Sequence, residues 1–177
     1  MFFTDAARAP DTAAAITMLP AGCGVVLRDY QRPQRANWAR RMISLCRRQG
    51  RLVLLAGDAR LALALGADGV HYPAWALTGG QALRRPKKPW LVSAAAHDRA
   101  EALRAARAGA DLLVLSPVFA TKSHPHGQSL GPLRLGLLRR GLRPPTIGLG
   151  GIGPANACRL HGLGLVGYAA IESLIRP

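Results

Sequence analysis

Short apolar runs rich in Val, Ile and Leu recur along the chain, separated by Ala-, Leu- and Arg-rich stretches of helical length. The runs predict strands at 1–4, 24–28, 51–56, 69–71, 90–93, 112–116, 146–149 and 166–169. The stretches between predict helices at 11–18, 35–49, 59–65, 74–83, 99–108, 132–141 and 154–160, with a short last one at 171–175. None of the runs alternates apolar with polar positions, which is the pattern of strands covered on both faces in a parallel sheet. Eight strand–helix units in a row predict an α/β fold, a small (β/α)8 TIM barrel forming one domain over residues 1–177. Barrels of this type run to about 250 residues, so the fourth and eighth helices must be abbreviated here. A doubly wound open sheet is the other arrangement the pattern permits.

Two segments echo each other, "LALGADGVH" and "ARAGADLLVL", each a helix end, Gly-Ala-Asp and a strand start; "LHGLGLVGYAA" is a degenerate third copy. A helix-to-strand turn repeated around a barrel leaves such a trace. No stretch reads as a linker or low-complexity segment.

Composition adjusts this picture in three ways. Hydrophobic residues make up 49% but aromatics only 5%, so the core is built from Ala, Leu, Val and Ile. No apolar run approaches the roughly 18 residues of a membrane span, and "MFFTDAARAPD" carries Asp5 with no basic segment ahead of an apolar core, so no signal peptide is expected. Cys23, Cys46 and Cys158 are scattered without metal-ligand spacing, consistent with reduced thiols or small buried hydrophobes and a cytoplasmic location. The net charge of +15 attracts anions. Its arginines are spread in pairs such as Arg40-Arg41 and Arg47-Arg48, and no nucleic-acid-binding signature accompanies them. No specific nucleic acid and no membrane is therefore expected as a partner.

Active sites of (β/α)8 barrels lie at the C-terminal ends of the strands, with phosphate often held after strands 7 and 8. "PTIGLGGIGPAN" places Gly150, Gly151 and Ile152 after the seventh predicted strand, and Ser173 follows the eighth. Glycine there serves a tight turn, or lets an anion approach backbone N–H groups at a helix N-terminus. The longest loop, "SPVFATKSHPHGQSLGP", runs from Ser116 and holds Thr121, Lys122, Ser123 and His124, a composition suited to a lid. Ser93 and Ser116 end the fifth and sixth predicted strands and are candidate substrate contacts. His71 ends the fourth strand and His97 lies just past the fifth; a histidine after a strand is either a hydrogen-bonded structural residue or a proton carrier near neutral pH.

Together "ALALGADGVH", "AHDRAEALRAARAGADLLVLSPVFATKSHP", "LGPLRL" and "GLGGIGPANACRL" resemble the thiamine-phosphate synthase/TenI superfamily along most of the chain. The resemblance implies a (β/α)8 barrel and one of two activities. One branch joins a hydroxymethylpyrimidine diphosphate to a thiazole phosphate carboxylate with Mg²⁺. The TenI-type branch aromatises the thiazole phosphate tautomer by proton transfer without metal. Where synthases carry Gln-Leu-Arg-x-Lys, this chain has Val26-Leu27-Arg28-Asp29-Tyr30; where they carry Asn-Asp after strand 3 it has Ala56-Gly57, with Asp58 one place on; and Gly-Gln-x-Asp becomes Pro73-Ala74-Trp75-Ala76. Thr-x-Thr-Lys becomes Thr121-Lys122-Ser123-His124. Hard-cation ligands are thus missing.

The resemblance therefore implies a TenI-like thiazole tautomerase with no cofactor and no metal. His97 moves the proton, Gly150, Gly151, Ile152 and Ser173 hold the phosphate, and Arg28 meets a carboxylate. Ser93, Ser116, Thr121, Ser123 and His124 contact the substrate, although Glu172 stands where the family has a serine. The expected partner is a small phosphorylated thiazole, with a homodimer left open. Two alternatives remain: a Mg²⁺-dependent thiamine-phosphate synthase, and a non-catalytic phosphate-ligand binder or regulator.

Overall fold

The computed structural model of the chain describes residues 1–77, 83, 85, 89–121 and 129–175. Eight parallel strands lie in one sheet in chain order: β1 (Phe2–Phe3), β2 (Val25–Leu27), β3 (Val53–Ala56), β4 (Gly69–Tyr72), β5 (Leu91–Ala96), β6 (Leu112–Leu115), β7 (Thr146–Leu149) and β8 (Gly167–Ala169). Helices α1 (Thr12–Met18), α2 (Arg35–Arg48), α3 (Ala59–Ala64), α4 (Arg99–Arg107) and α5 (Gly131–Arg139) alternate with them. This is the α/β class and the (β/α)8 strand order that the apolar runs predict.

Two compact units divide the chain, one built mainly from Met1–Tyr72 and the other mainly from Ser93–Ala170. In the first, β1 pairs with β2 (Phe2 opposite Val25), β2 with β3 (Val25 opposite Val53) and β3 with β4 (Leu54 opposite Gly69). Its strands are buried throughout β1, β2 and β3, which accounts for their unbroken apolar runs. In the second, β5, β6, β7 and β8 pair in the same way.

The repeated Gly-Ala-Asp is a helix stop. At the end of α3, Gly66 has φ +70° and its N–H bonds to Leu63 O at 2.9 Å, while Ala67 N–H reaches Ala62 O at 2.9 Å. At the end of α4, Gly109 has φ +96°, with bonds to Ala106 O at 3.2 Å and from Ala110 N–H to Ala105 O at 3.1 Å. Both are the paired bonds of a Schellman cap, which needs a left-handed residue and so selects glycine. Asp68 then accepts the Val53 N–H at 2.8 Å, tying this turn to the start of β3.

Four predicted elements differ. β5 extends to Ala96, past the predicted end at 93, because Ala94, Ala95 and Ala96 pair opposite Leu113, Val114 and Leu115. The helix predicted at 154–160 is a turn followed by a 3-10 turn at Ala157–Leu160. Asn156 explains this: its side chain bonds Gly153 N–H and Gly151 O, which competes with helical backbone bonding. Residues 171–175 form a bend and turn, since five residues give too little propagation to offset helix nucleation. After β4 a 3-10 turn at Ala74–Leu77 stands where the longer fourth helix is predicted, and residues 78–82 lie outside those described.

Candidate functional site

In the second unit, β5 delivers His97 directly off its C-terminal end. Asp98 caps α4 by accepting the Glu101 N–H at 2.7 Å, and the Glu101 carboxylate accepts the His97 N–H at 2.7 Å. The backbone N–H of this exposed histidine is therefore tied to the first turn of α4. Its ring Nδ1 lies 2.8 Å from the Ser116 carbonyl oxygen and 3.3 Å from Ser116 Oγ. A carbonyl only accepts, so Nδ1 carries the hydrogen and the neutral ring keeps its lone pair on Nε2. That is the tautomer a proton acceptor needs.

The glycine turn after β7 lies against the loop that follows β6. Val118 and Phe119 donate to Leu149 O and Gly150 O at 2.9 and 3.0 Å. Gly150 and Gly151 have φ +102° and +65°. A Cβ on Gly151 would stand 2.5 Å from Ala120 O, and one on Gly150 would stand 3.0 Å from Pro117 Cα and 3.4 Å from Thr121 Cγ2. Both glycines are thus required by the turn and by the close approach of backbone to backbone, before any ligand is considered. Asn156 closes the turn, donating to Gly151 O at 2.8 Å and accepting from Gly153 N–H at 3.0 Å.

Ile152 is buried and near Gly148. Ser93 is fully buried on β5. The unit therefore brings His97 to Ser116, and Thr121 to Gly150, with the turn 150–153 braced from behind. Ser123 and His124 lie outside the described residues.

In the first unit the ends of β1 and β2 border an open cleft of about 750 Å³, lined by residues 4–7, 10 and 28–33. Arg28 Nη2 donates to Asp5 Oδ2 at 2.8 Å, and Arg28 N–H donates to Thr4 Oγ1 at 2.9 Å. Thr4 in turn donates to the Asp29 carboxylate, which also accepts the Ala6 N–H at 2.7 Å. Tyr30 is raised above its ordinary pKa by burial, an effect opposed by Arg28 and Arg35. The Arg35 guanidinium stands 5.4 Å from the Tyr30 ring centroid and donates to Ala56 O at 2.6 Å. His71, at the end of β4, meets Phe3 edge-on at 5.1 Å. Burial, aided by Arg28, lowers its pKa to about 3, so it is a neutral core group. Ser173 sits in the terminal turn of this unit, where Ile175 N–H bonds Glu172 O at 3.0 Å.

A family model described as thiamine monophosphate synthase (TMP-TENI) matches residues 2–174. The chain belongs to the thiamine monophosphate synthase family. It is 36% identical over 171 residues to the thiamine biosynthesis bifunctional protein ThiM/ThiE of Symbiobacterium thermophilum, covering 94% of this chain and 35% of that protein. It is 32% identical over 160 residues to the thiamine-phosphate synthase of Laribacter hongkongensis, covering 88% of this chain and 75% of that protein. The match to the Methanoculleus marisnigri thiamine-phosphate synthase, 36% identical, covers 71% of this chain and 60% of the relative. The chain thus spans about a third of the bifunctional relative and about three-fifths of the Methanoculleus one. Among solved structures, the thiamine phosphate pyrophosphorylase of Pyrococcus furiosus matches with a TM-score of 0.78 and 23% identity, over 98% of this chain and 85% of that one, which shows the fold.

Within this family the synthase resemblance calls for Mg²⁺, and the residues present do not fit it. Asp58, the one acid near the end of β3, accepts the Leu61 N–H at 2.9 Å as the N-cap of α3. Tyr30 crowds the adjacent Gly57, whose Cβ would stand 2.9 Å from Tyr30 Cε1. Among the described residues no group of three or more His, Cys, Asp or Glu side chains could hold a metal ion. No described helix is long and apolar enough to cross a membrane.

Sequence reasoning did not single out Asn156, Glu101 or the pairing of Arg28 with Asp5. Asn156 had a signal, an Asn shortly after a glycine turn; the ion pair, 23 residues apart in the chain, had none.

Proposed function

We propose that this chain acts on a phosphorylated thiazole in thiamine biosynthesis, working as one domain and without a resident cofactor. The names of its relatives support coupling to hydroxymethylpyrimidine diphosphate as the reaction. The observation that carries this reading is 36% identity along 94% of the chain. With no acidic set to hold Mg²⁺ among the described residues, the charge of a departing diphosphate falls to guanidinium groups such as Arg28, which borders the cleft.

A second reading, proton transfer on a thiazole phosphate tautomer, is favoured by the bond from His97 Nδ1 to Ser116 O, which leaves Nε2 as the base. In both readings Gly150, Gly151, Ile152 and Ser173 hold the phosphate, Ser93, Ser116 and Thr121 approach the substrate, and Arg28 receives an anionic group. The partner is a small molecule, with a second copy of the chain as the one macromolecular partner considered.

One experiment separates the readings. The purified protein is given hydroxymethylpyrimidine diphosphate and the thiazole phosphate carboxylate tautomer, with Mg²⁺ or with a chelator. Thiamine phosphate formed in the presence of the chelator supports metal-free coupling. Thiamine phosphate formed only with Mg²⁺ keeps the coupling and overturns the metal-free account. Conversion of the tautomer alone supports the second reading. Ligand binding with no product leaves a binder or regulator.

A further inference from the structure

The cleft of the first unit differs from the rest of the chain in its charge. The chain carries +15, yet the cleft lines Arg28 and Arg32 with Asp5 and Asp29, so its charged side chains sum to zero. The two carboxylates are held differently. Asp29 is bound on one oxygen by the Thr4 hydroxyl and on the other by the Ala6 N–H, inside the loop framework. Asp5 places Oδ2 on Arg28 at 2.8 Å and Oδ1 on the Ala7 N–H at 3.1 Å. Its pair with Arg28 is reachable from solvent, with side chains 32% and 19% exposed for Arg28 and Asp5. The pair is part-buried, and its solvent-facing side lets screening weaken it, so the carboxylate can exchange. Asp5 also has a second cation within reach, Arg8, whose Nε stands 3.7 Å from the same Oδ2.

We infer that Asp5 is an internal competitor for the Arg28 guanidinium: in the ligand-free protein its carboxylate occupies that group, and an incoming anion binds by displacing it toward Arg8. Asp5 therefore lowers the affinity of the cleft for any anion that must displace it. A singly charged carboxylate gains little by replacing another. A multivalent phosphoryl group gains the difference in charge. Thr4 and Asp29 meanwhile keep the ends of β1 and β2 clamped, so the exchange moves one side chain rather than the loops. The inference shares with the proposed function only the premise that Arg28 receives an anion.

Calorimetric titration of the full chain at low salt with inorganic pyrophosphate and, separately, acetate tests this. Asp5→Asn keeps the size of the side chain and removes its charge. It is expected to tighten pyrophosphate binding roughly three- to tenfold. Arg28→Gln weakens pyrophosphate binding, and in that background Asp5→Asn brings no gain. An Asp5→Asn protein that binds pyrophosphate no better than the parent, while Arg28→Gln still weakens it, overturns the competition. If Asp5→Asn does not fold, the parent protein answers through NMR: its Asp5 carboxyl carbon and Arg28 side-chain nitrogens shift together on adding pyrophosphate. A stationary Asp5 signal overturns the inference. No pyrophosphate binding by any variant also overturns it, while turnover of the thiazole phosphate separately decides the proposed function.

Discussion

His97 Nδ1 lies 2.8 Å from the carbonyl oxygen of Ser116, a bond that joins the end of β5 to the end of β6. Because the acceptor is a main-chain carbonyl, side-chain substitution at Ser116 leaves it in place, and the ring tautomer persists. Removing the ring does not. Under the proton-transfer reading, His97→Gln is expected to lower conversion of the thiazole phosphate by roughly 10² to 10⁴-fold, with ligand affinity changed by no more than about threefold. Single-turnover conversion and calorimetric binding check the two halves. Equal losses in both would make His97 a binding residue.

Gly151 gives a test of the turn after β7. Alanine there meets a φ of +65° and a Cβ only 2.5 Å from Ala120 O and 2.8 Å from Phe119 Cβ. The left-handed conformation costs roughly 1–2 kcal/mol, and displacing backbone adds a similar or larger amount. Gly151→Ala is therefore expected to lower Tm by on the order of 10 °C. Gly109→Ala, with φ +96° and nothing within 4 Å, bears only the conformational cost. Its expected fall is a few degrees. Thermal melts of the two variants, read together, check the close approach itself.

His71 predicts a pH dependence of stability. Its pKa is lowered to about 3 in the fold, chiefly by burial and then by Arg28, against 6.5 for the ordinary side chain. Below pH 6.5 the unfolded chain takes up this proton and the folded one does not. The stability associated with neutral His71 is thus full above pH 6.5 and is lost as pH falls toward 3. By pH 5 the loss is on the order of 2 kcal/mol. Denaturant unfolding at pH 7 and pH 5 is expected to show this difference in the parent chain and to lose most of it in His71→Leu.

The strands were legible because burial on both faces leaves unbroken apolar runs, as in Val53–Ala56. The Gly-Ala-Asp repeat was legible because a Schellman cap admits few residues at its left-handed position. The end of β5 was not, since alanine favours no element strongly and only the pairing of Ala94–Ala96 with β6 decides it. The stretch 154–160 has helical composition, yet the side chain of Asn156 takes up the backbone groups of Gly151 and Gly153. In the candidate site, Gly151 follows the end of β7, which the apolar run at 146–149 marks, whereas His97 stands directly off β5 only because Ala94–Ala96 extend that strand. Their partners, Ser116 O and Ala120 O, are main-chain atoms brought in by sheet pairing, which carry no residue-type signal.

Asp58 separates the two uses of a carboxylate near the end of β3. As the N-cap of α3 it satisfies the Leu61 N–H at 2.9 Å, a task independent of any ligand. Asp58→Ala removes that bond and is expected to cost about 1 kcal/mol, seen as a small fall in the denaturant midpoint. Asp58→Ser restores a capping oxygen without a charge and is expected to recover most of it. A serine hydroxyl is a poor substitute for a carboxylate in binding Mg²⁺. If Asp58 serves only the helix, thermal stability with and without millimolar Mg²⁺ changes alike in the parent, the alanine and the serine variants. A Mg²⁺-dependent rise in Tm present in the parent and absent from both variants would instead assign Asp58 to a metal, and with it revive the metal-dependent coupling.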